Sequence, residues 1–353
     1  MIYFDTLHLY YLPQYLPIKD ELAQRGVDCK FVIYRSGAQQ SVLESFIKTH
    51  KLDCDWVDNP DDALNFYKRE RPDWIIFGNV FDAAGELNNF CKTASVGHGI
   101  GPKSSYYDSC GGDIQVRFVE GQYRLQRLQN RFPDKTFIDT GYAKLDPLVN
   151  GSERGLNLSE LGLDGRKQTL LYAPTFYPSS IENMDKNWPQ QFEQYNILLK
   201  PHFFSLVKPR YKRQKQRLEH WAKFENVYLA PMEETNLLPF MATADLLISD
   251  ASSALFEFAA LNKPVVWCDF FKLRWTYRGP LKFRFTRRMD EDLYKYADVA
   301  AHASTFKQLK SVVDEQIANP QSFAHKRKAY IELLAGKVDG LASRRIVDYL
   351  LAH

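Results

Sequence analysis

Short apolar runs alternate with amphipathic stretches along most of the chain, and this rhythm constrains the fold more than any other feature. Runs such as "CKFVIY", "WIIF" and "DLLIS" have strand length, while "QYLPIKDELAQRG" and "SVLESFIKTH" carry apolar residues at helical spacing. Strands that alternate with helices are typical of parallel sheets with helical crossovers. The sequence therefore predicts an α/β protein built on parallel sheets.

The chain of 353 residues is too long for one ordinary compact core and fits two domains. A polar stretch between residues 150 and 168 holds four glycines and interrupts the rhythm, which then restarts. We predict one domain at residues 1–150 and a second at 151–353, the latter ending in a helical tail. The simplest architecture that fits this pattern consists of two doubly wound Rossmann-type domains that face a central cleft.

Composition excludes several classes of protein. Hydrophobic residues make up 45%, which argues against general disorder, and a net charge of +3 is too small to indicate a nucleic-acid partner. No apolar run approaches the ~20 residues of a membrane span, and the N-terminal stretch lacks the pattern of a secretory signal. Five scattered cysteines without metal-ligand spacing predict reduced thiols in a cytoplasmic protein.

Two loops that follow predicted strands carry histidines. "VGHGIGPKSS" places His98 between glycines that permit close backbone approach, and a histidine there suits proton transfer near neutral pH. "LLKPHFF" places His202 at the end of a strand in the second half. Each histidine alone also fits an ordinary turn residue with a satisfied side chain.

Two further loops point to phosphate binding. In "LLISDASSALFEF", Asp250 ends a strand, and Ser252 and Ser253 open a helix whose N-terminal N–H groups suit a phosphate. Plain helix capping by Asp250 or Ser252 is the alternative. "LLYAPTF" adds Thr175 after a strand. Ligands of doubly wound sheets bind beyond the carboxyl ends of strands, so the four loops together suit a nucleotide diphosphate donor in the second domain and an acceptor in the first.

Five motifs occur in a fixed order: "GHGIGPK", "TGYAKLDPL", "LLYAPTF", "LLKPH" and "ADLLISDASSALFEFAALNKPVVW". Over roughly residues 90–290 the chain thereby resembles the CDP-glycerol glycerophosphotransferase family, the teichoic-acid primases and polymerases. The resemblance implies a GT-B fold. It also implies transfer of a polyol phosphate, glycerol phosphate above all, from a CDP-linked donor to an acceptor hydroxyl, with release of CMP. No metal cofactor is implied, although Mg²⁺ is left open.

The resemblance also implies residue roles. His98 would be the catalytic base and His202 a second catalytic residue that contacts the donor diphosphate. The remaining roles are donor diphosphate binding by Ser252, Ser253, Asp250 and Thr175, and acceptor or phosphate binding by Lys103, Lys144 and Arg278. The chain departs from the family pattern at Gly97, at Ala251 and at Lys144, where tryptophan, tyrosine and arginine are usual. These departures leave the acceptor and the exact donor open.

A basic aromatic stretch at residues 270–288 holds seven Lys or Arg residues, six aromatic residues and no acidic residue. It fits a solvated loop, a phosphate-rich acceptor site, or docking on an anionic membrane surface, in which case the protein would be peripheral on the inner face. The acceptor could be a glycan, a polymer or a lipid-linked sugar. Two other functions stay open: a GT-B glycosyltransferase with a nucleotide-sugar donor, and a non-enzymatic module that binds an anionic polymer.

Overall fold

The structure, a computed structural model, describes residues 1–35, 40–97, 99–100, 107–250, 252–271, 273 and 296–353. Their contacts divide into two compact units. The first holds the described residues of Met1–Ile100, Ser104–Asn150 and Glu332–His353, and the second holds those of Gly151–Ile331. Each unit contains one sheet in which the described strand pairs are all parallel, so the predicted α/β class is confirmed.

The first unit is built on a seven-stranded sheet with the order β3-β2-β1-β4-β5-β6-β7. Its strands are β1 (Ile2–Thr6), β2 (Cys29–Tyr34), β3 (Cys54–Val57), β4 (Trp74–Phe77), β5 (Lys92–Ser95), β6 (Val116–Val119) and β7 (Thr136–Asp139). Its helices up to residue 150 are α1 (Leu12–Gln24), α2 (Gln40–His50), α3 (Pro60–Glu70), α4 (Ala84–Leu87), α5 (Gln122–Arg131) and α6 (Asp146–Val149). Strand order reverses between β1 and β4, which makes that junction the topological switch point.

The second unit is built on a six-stranded sheet with the order β10-β9-β8-β11-β12-β13. Its strands are β8 (Thr169–Tyr172), β9 (Asn196–Leu199), β10 (Val227–Leu229), β11 (Leu246–Ser249), β12 (Val265–Cys268) and β13 (Ala301–Ala303). Its helices are α7 (Phe203–Val207), α8 (Lys212–Trp221), α9 (Leu238–Thr243), α10 (Ser253–Ala260), α11 (Phe306–Ala318) and α12 (Ala324–Tyr330). The switch point lies between β8 and β11, the two strands at the centre of the sheet.

Apolar packing buries the central strands of the second sheet. Strands β8, β9 and β11 are fully buried, and one face of the sheet packs on Trp188 and Trp221, which have no exposed surface. The two indole rings meet edge to face at 5.9 Å, and Tyr172 of β8 contacts both. Interlocked aromatic side chains of this kind fix the strand ends from which the loops depart.

The C-terminal segment differs from the prediction. The tail is mostly helical as predicted, with a π-helical turn at Ile331–Ala335 and a last helix, α13 (Ala342–Ala352). The predicted boundaries place residues 332–353 in the second domain, but these residues belong to the first unit. The physical reason is that α13 packs on α1 and that buried Asp146 accepts hydrogen bonds from the N–H groups of Ala342 and Ser343, which open this helix.

Three structural findings bear on the classes considered above. None of the helices within the described residues is long and apolar enough to cross a membrane. None of the five cysteines, all of which the structure describes, forms a disulfide bond. The described part of the chain also contains no group of three or more His, Cys, Asp or Glu side chains that could hold a metal ion.

Candidate functional site

Three loops meet at the carboxyl edge of the second sheet. Strands β9, β8 and β11 are neighbours in that order, and His202, Thr175 and Asp250 follow them within three residues of the strand ends. Because parallel strands end at the same edge, the loops converge on the switch point between β8 and β11. The structure therefore brings together the predicted donor-side residues of the second unit.

Asp250 is the centre of this cluster. It is fully buried, and its carboxylate accepts hydrogen bonds from the Thr175 N–H at 2.7 Å, from the Ser180 N–H at 2.9 Å and from the Ser180 hydroxyl at 3.0 Å. Burial raises the pKa of Asp250 to about 6, while these donors act in the opposite direction. The family resemblance implies that Asp250 binds the donor diphosphate. Its two oxygens instead hold the loop of residues 174–180, so its position fits a loop anchor.

His202 caps α7 and touches the same loop. Its ring nitrogen Nδ1 accepts a hydrogen bond from the Phe204 N–H at 3.1 Å, and its backbone N–H donates to the carbonyl of Pro174 at 3.1 Å. The imidazole lies 4.6 Å from the ring of Phe176. A nitrogen that accepts an N–H must carry its lone pair, so in the neutral ring the proton is on Nε2. The cap thereby makes Nε2 the hydrogen-bond donor of this histidine.

The start of α10 completes the cluster. Ser252 is the N-cap, and its hydroxyl accepts a hydrogen bond from the Ala254 N–H at 3.3 Å. Ser253 is the first residue of the helix, and both serines are partly exposed. The N–H groups of a first helical turn and the positive end of the helix dipole favour an anion at this place. Ser252 thus acts as a cap, the alternative considered above, at a helix end that also suits a phosphate.

The other predicted residues divide into two groups. Lys144 lies in the first unit, in the turn Ala143–Leu145, where its N–H donates to Gln14 Oε1 at 3.1 Å. His98, Lys103, Arg278 and most of the basic stretch lie outside the described residues.

Sequence reasoning missed Gln14. This side chain is buried and donates through Nε2 to the carbonyl of Val96 at 3.1 Å, while Oε1 accepts from Lys144. It thereby ties the end of β5, two residues before His98, to the "GYAKLD" turn. The signal in the sequence was a polar residue inside the apolar stretch "LPQYLP", where a buried position of α1 requires hydrogen-bond partners.

Comparison with known proteins gives the family context. A family model described as CDP-Glycerol:Poly(glycerophosphate) glycerophosphotransferase matches residues 119–352. The teichoic acid glycerol-phosphate primase of Bacillus spizizenii is 29% identical over 157 residues, which cover 43% of this chain and 39% of that protein. The chain therefore matches well under half of the length of this curated relative.

Solved structures share the fold at low sequence identity. The wall teichoic acid polymerase TagF superposes with a TM-score of 0.67 and 16% identity, covering 100% of this chain and 88% of that one. A UDP-N-acetylglucosamine 2-epimerase from Neisseria meningitidis, solved bound to UDP-GlcNAc, gives a TM-score of 0.63 and 13% identity with full coverage of both chains. These likenesses, with the two parallel-sheet units, confirm the predicted GT-B-like fold.

Proposed function

Since the chain belongs to the CDP-glycerol:poly(glycerophosphate) glycerophosphotransferase family, we propose that it transfers glycerol phosphate from CDP-glycerol to an acceptor hydroxyl during synthesis of a cell-envelope polymer. The observation that carries the proposal is the cluster at the β8/β11 switch point. His202, Ser252, Ser253 and the Thr175 loop that Asp250 anchors converge there. A switch point edged by a helix N-terminus suits the diphosphate of a nucleotide donor.

The donor diphosphate would be held by neutral hydrogen-bond donors. The N–H groups at the start of α10, the Ser253 hydroxyl and His202 Nε2–H would donate to its oxygens, and the helix dipole would add a favourable field. Asp250 would contribute indirectly, because its ionised carboxylate would repel a diphosphate and its oxygens already hold the Thr175 loop. Its role in the proposal is therefore to position the loop.

The transfer is a substitution at phosphorus. The acceptor oxygen attacks the β-phosphorus that carries glycerol, a new P–O bond forms, and the bond from that phosphorus to the bridging oxygen breaks so that CMP leaves. Charge accumulates on the departing phosphate oxygens, where preorganised donors stabilise it. The acceptor proton passes to a base, for which His98 is the candidate, and such a base contributes ~10²–10⁴-fold in rate.

The acceptor class follows from the reaction rather than from the fold. Any acceptor must present a hydroxyl, so the growing polymer, a glycan and a lipid-linked sugar are the three candidates. Lys103, Lys144 and Arg278 are proposed to contact the acceptor or its phosphates. Docking of the basic stretch on an anionic membrane surface stays a prediction, as does location at the cytoplasmic face.

The test is release of CMP from CDP-glycerol by the purified full chain, with calorimetric titration of CDP-glycerol in parallel. His202→Asn should lower kcat/KM for the donor by ~10²-fold, the usual effect of losing one preorganised donor. His325→Asn is the matched control, because this histidine is exposed on α12, a helix whose Arg327 donates to Asn262 beyond the C-terminal end of α10. Absence of CMP release from CDP-glycerol and CDP-ribitol, together with binding of a UDP-sugar, would refute the proposal and favour a nucleotide-sugar enzyme.

A further inference from the structure

Helix α8 holds the segment that follows β8 through a stripe of hydrogen-bond donors. Gln214, Arg217 and Trp221 are spaced three and four residues apart, so they lie on one face of the helix. Each of them donates to the backbone of the segment after β8. The accepting carbonyls are those of Phe176 for Gln214 Nε2 at 3.0 Å, Ile181 and Met184 for Arg217 Nη1 at 3.2 and 2.6 Å, and Lys186 for Trp221 Nε1 at 2.9 Å.

Gln214 makes the contact of this stripe that is nearest to the donor cluster. Asp250 already holds the loop of residues 174–180 through the N–H groups of Thr175 and Ser180. Phe176 lies between these two points, and its carbonyl is held from the other side by Gln214, which is 1% exposed. The loop is therefore fixed by a carboxylate under its ends and by an amide at its middle.

The amide of Gln214 is costly if this position only fills space. Its Nε2 donates to Phe176 and to Glu182 Oε1, the latter at 2.6 Å. Its Oε1 is buried and has no hydrogen-bond partner among the described residues. A buried polar atom without a partner costs free energy that an apolar side chain of similar length would avoid. What an apolar side chain could not supply is the hydrogen bond to the Phe176 carbonyl.

The side chain of Phe176 lies against the imidazole of His202. The two ring centroids are 4.6 Å apart and the rings are tilted by 56°. On its other sides the Phe176 ring meets Phe204 at 5.2 Å and Tyr211 at 5.7 Å, both edge to face. Phe204 also donates its N–H to His202 Nδ1. The imidazole is thus held by one hydrogen bond and one aromatic contact, and the position of Phe176 decides the second.

We propose that Gln214 is a positioning residue for His202. By holding the Phe176 carbonyl, it keeps the Phe176 ring against the imidazole, and the imidazole stays aimed as the Phe204 N–H sets it. This inference rests on the proposed function, in which His202 donates to the donor diphosphate, and it adds a residue outside the cluster that controls its geometry. A donor held in place before the substrate arrives stabilises charge better than a mobile one.

The first experiment follows the imidazole of His202 by NMR in the full-length protein without ligand. The signals are assigned by their loss in His202→Asn. Gln214→Met removes both N–H donors and roughly keeps the length of the side chain. Its His202 signals should move toward those of Phe176→Leu, which lacks the neighbouring aromatic ring. Gln216→Met is the matched control, because it makes the same substitution on the exposed face of the same helix.

The second experiment measures binding of CDP-glycerol by calorimetry. Gln214→Met should weaken binding roughly fivefold, the ordinary effect of one neutral hydrogen bond, and Gln216→Met should stay within about twofold of the wild type. In a His202→Asn background, Gln214→Met should add less than about twofold, because the group that it positions is already gone. A role in stability alone would give the same loss in both backgrounds.

The outcomes separate this inference from the proposed function. His202 signals that stay unchanged in folded Gln214→Met, or that move equally in Gln216→Met, overturn it even if CMP release is normal. Full additivity of Gln214→Met and His202→Asn also overturns it. Signals that move only in Gln214→Met support it even if CDP-glycerol is not turned over. Should Gln214→Met fail to fold, Phe176→Leu takes its place, and unchanged His202 signals in that variant overturn the inference.

Discussion

Replacing Gly121 with alanine should loosen the C-terminal segment from the first unit. Gly121 is the N-cap of α5 and has φ +77° and ψ 148°, a region that is essentially restricted to glycine. A Cβ there would lie 2.7 Å from the carbonyl oxygen of Leu334, which belongs to the backbone and cannot rotate away. The backbone conformation costs roughly 1–3 kcal/mol and the overpacked contact roughly another 1–3 kcal/mol. Undocking of this segment relieves only the contact and leaves the backbone strain in place, so we expect a loss of about 2 kcal/mol in the docking of the segment.

The matched control is Gly26→Ala. Gly26 also has a positive φ, +69°, but a Cβ there would meet nothing within 4 Å. Its substitution should cost only the left-handed backbone, roughly 1–2 kcal/mol. Any acceleration of α13 exchange in Gly121→Ala beyond that in Gly26→Ala therefore reports the contact with the C-terminal segment.

The assay is hydrogen exchange of the α13 amides in the native protein, which reports local opening of this helix. A loss of about 2 kcal/mol corresponds to exchange about 30-fold faster, because each 1.4 kcal/mol is a factor of ten. Gly336 faces Gly121 across the same contact, since a Cβ at Gly336 would lie 2.6 Å from the Gly121 nitrogen. The double alanine variant should therefore fall short of the sum of the two single effects by about 1 kcal/mol.

Two results would refute this reasoning. If Gly121→Ala and Gly26→Ala accelerate α13 exchange equally, the carbonyl contact is not what holds the segment. If the effects of Gly121→Ala and Gly336→Ala add fully, the two glycines do not share one contact.

Three further predictions concern buried or paired charges. Asp250→Ala leaves two N–H groups of the Thr175 loop without an acceptor. Calorimetry should therefore show roughly tenfold weaker binding of CDP-glycerol, and denaturation should show a loss of at least about 2 kcal/mol in the free energy of unfolding. The control Asp245→Ala, at the exposed opposite end of β11, should lower the free energy of unfolding by less than about 1 kcal/mol. Pairing with Asp269 raises the pKa of His302, so its stabilisation should be complete below about pH 6.5 and vanish as pH rises through the folded pKa. The measurement is the free energy of unfolding of the wild type and of His302→Asn from pH 5.5 to 9. Because the pair is partly exposed, the two proteins should differ by about 0.5 kcal/mol, and the difference should be greatest at the acid end. Asp146→Ala should speed exchange of the first α13 amides without changing CDP-glycerol affinity.

The strands that sequence reasoning found and missed differ in their surroundings. Central strands such as β4 and β11 are buried on both faces and read as continuous apolar runs. Strands β3, β6 and β13 were not predicted. β3 and β13 are short edge strands, of which β3 is partly exposed, and β6 ("VRFV") carries Arg117, a charged residue whose burial depends on two carbonyls of a neighbouring loop. A local sequence pattern cannot reveal a strand whose burial depends on contacts with other parts of the chain.

The same distinction holds for the candidate site. The loops after β8, β9 and β11 could be predicted, because strand ends are visible in the sequence and a sheet gathers them at one edge. The partners of Asp250 could not, since Thr175 and Ser180 lie 75 and 70 residues away along the chain. Gln14 likewise meets Val96 and Lys144 across 82 and 130 residues. A residue whose local motif suggests ligand binding can therefore instead form hydrogen bonds that stabilise the fold.

The chemistry of the cluster in the second unit argues for the donor as its substrate. The cluster in the second unit offers hydroxyl, imidazole and main-chain N–H donors at a positive helix end, and its carboxylate, Asp250, is turned into the protein. That arrangement suits an anion. If the cluster takes the substrate that its charges suit, variants at His202 should change the kinetic constants of the donor and not those of the acceptor. An equal effect on the constants of both substrates would mean that the cluster does not serve the donor alone.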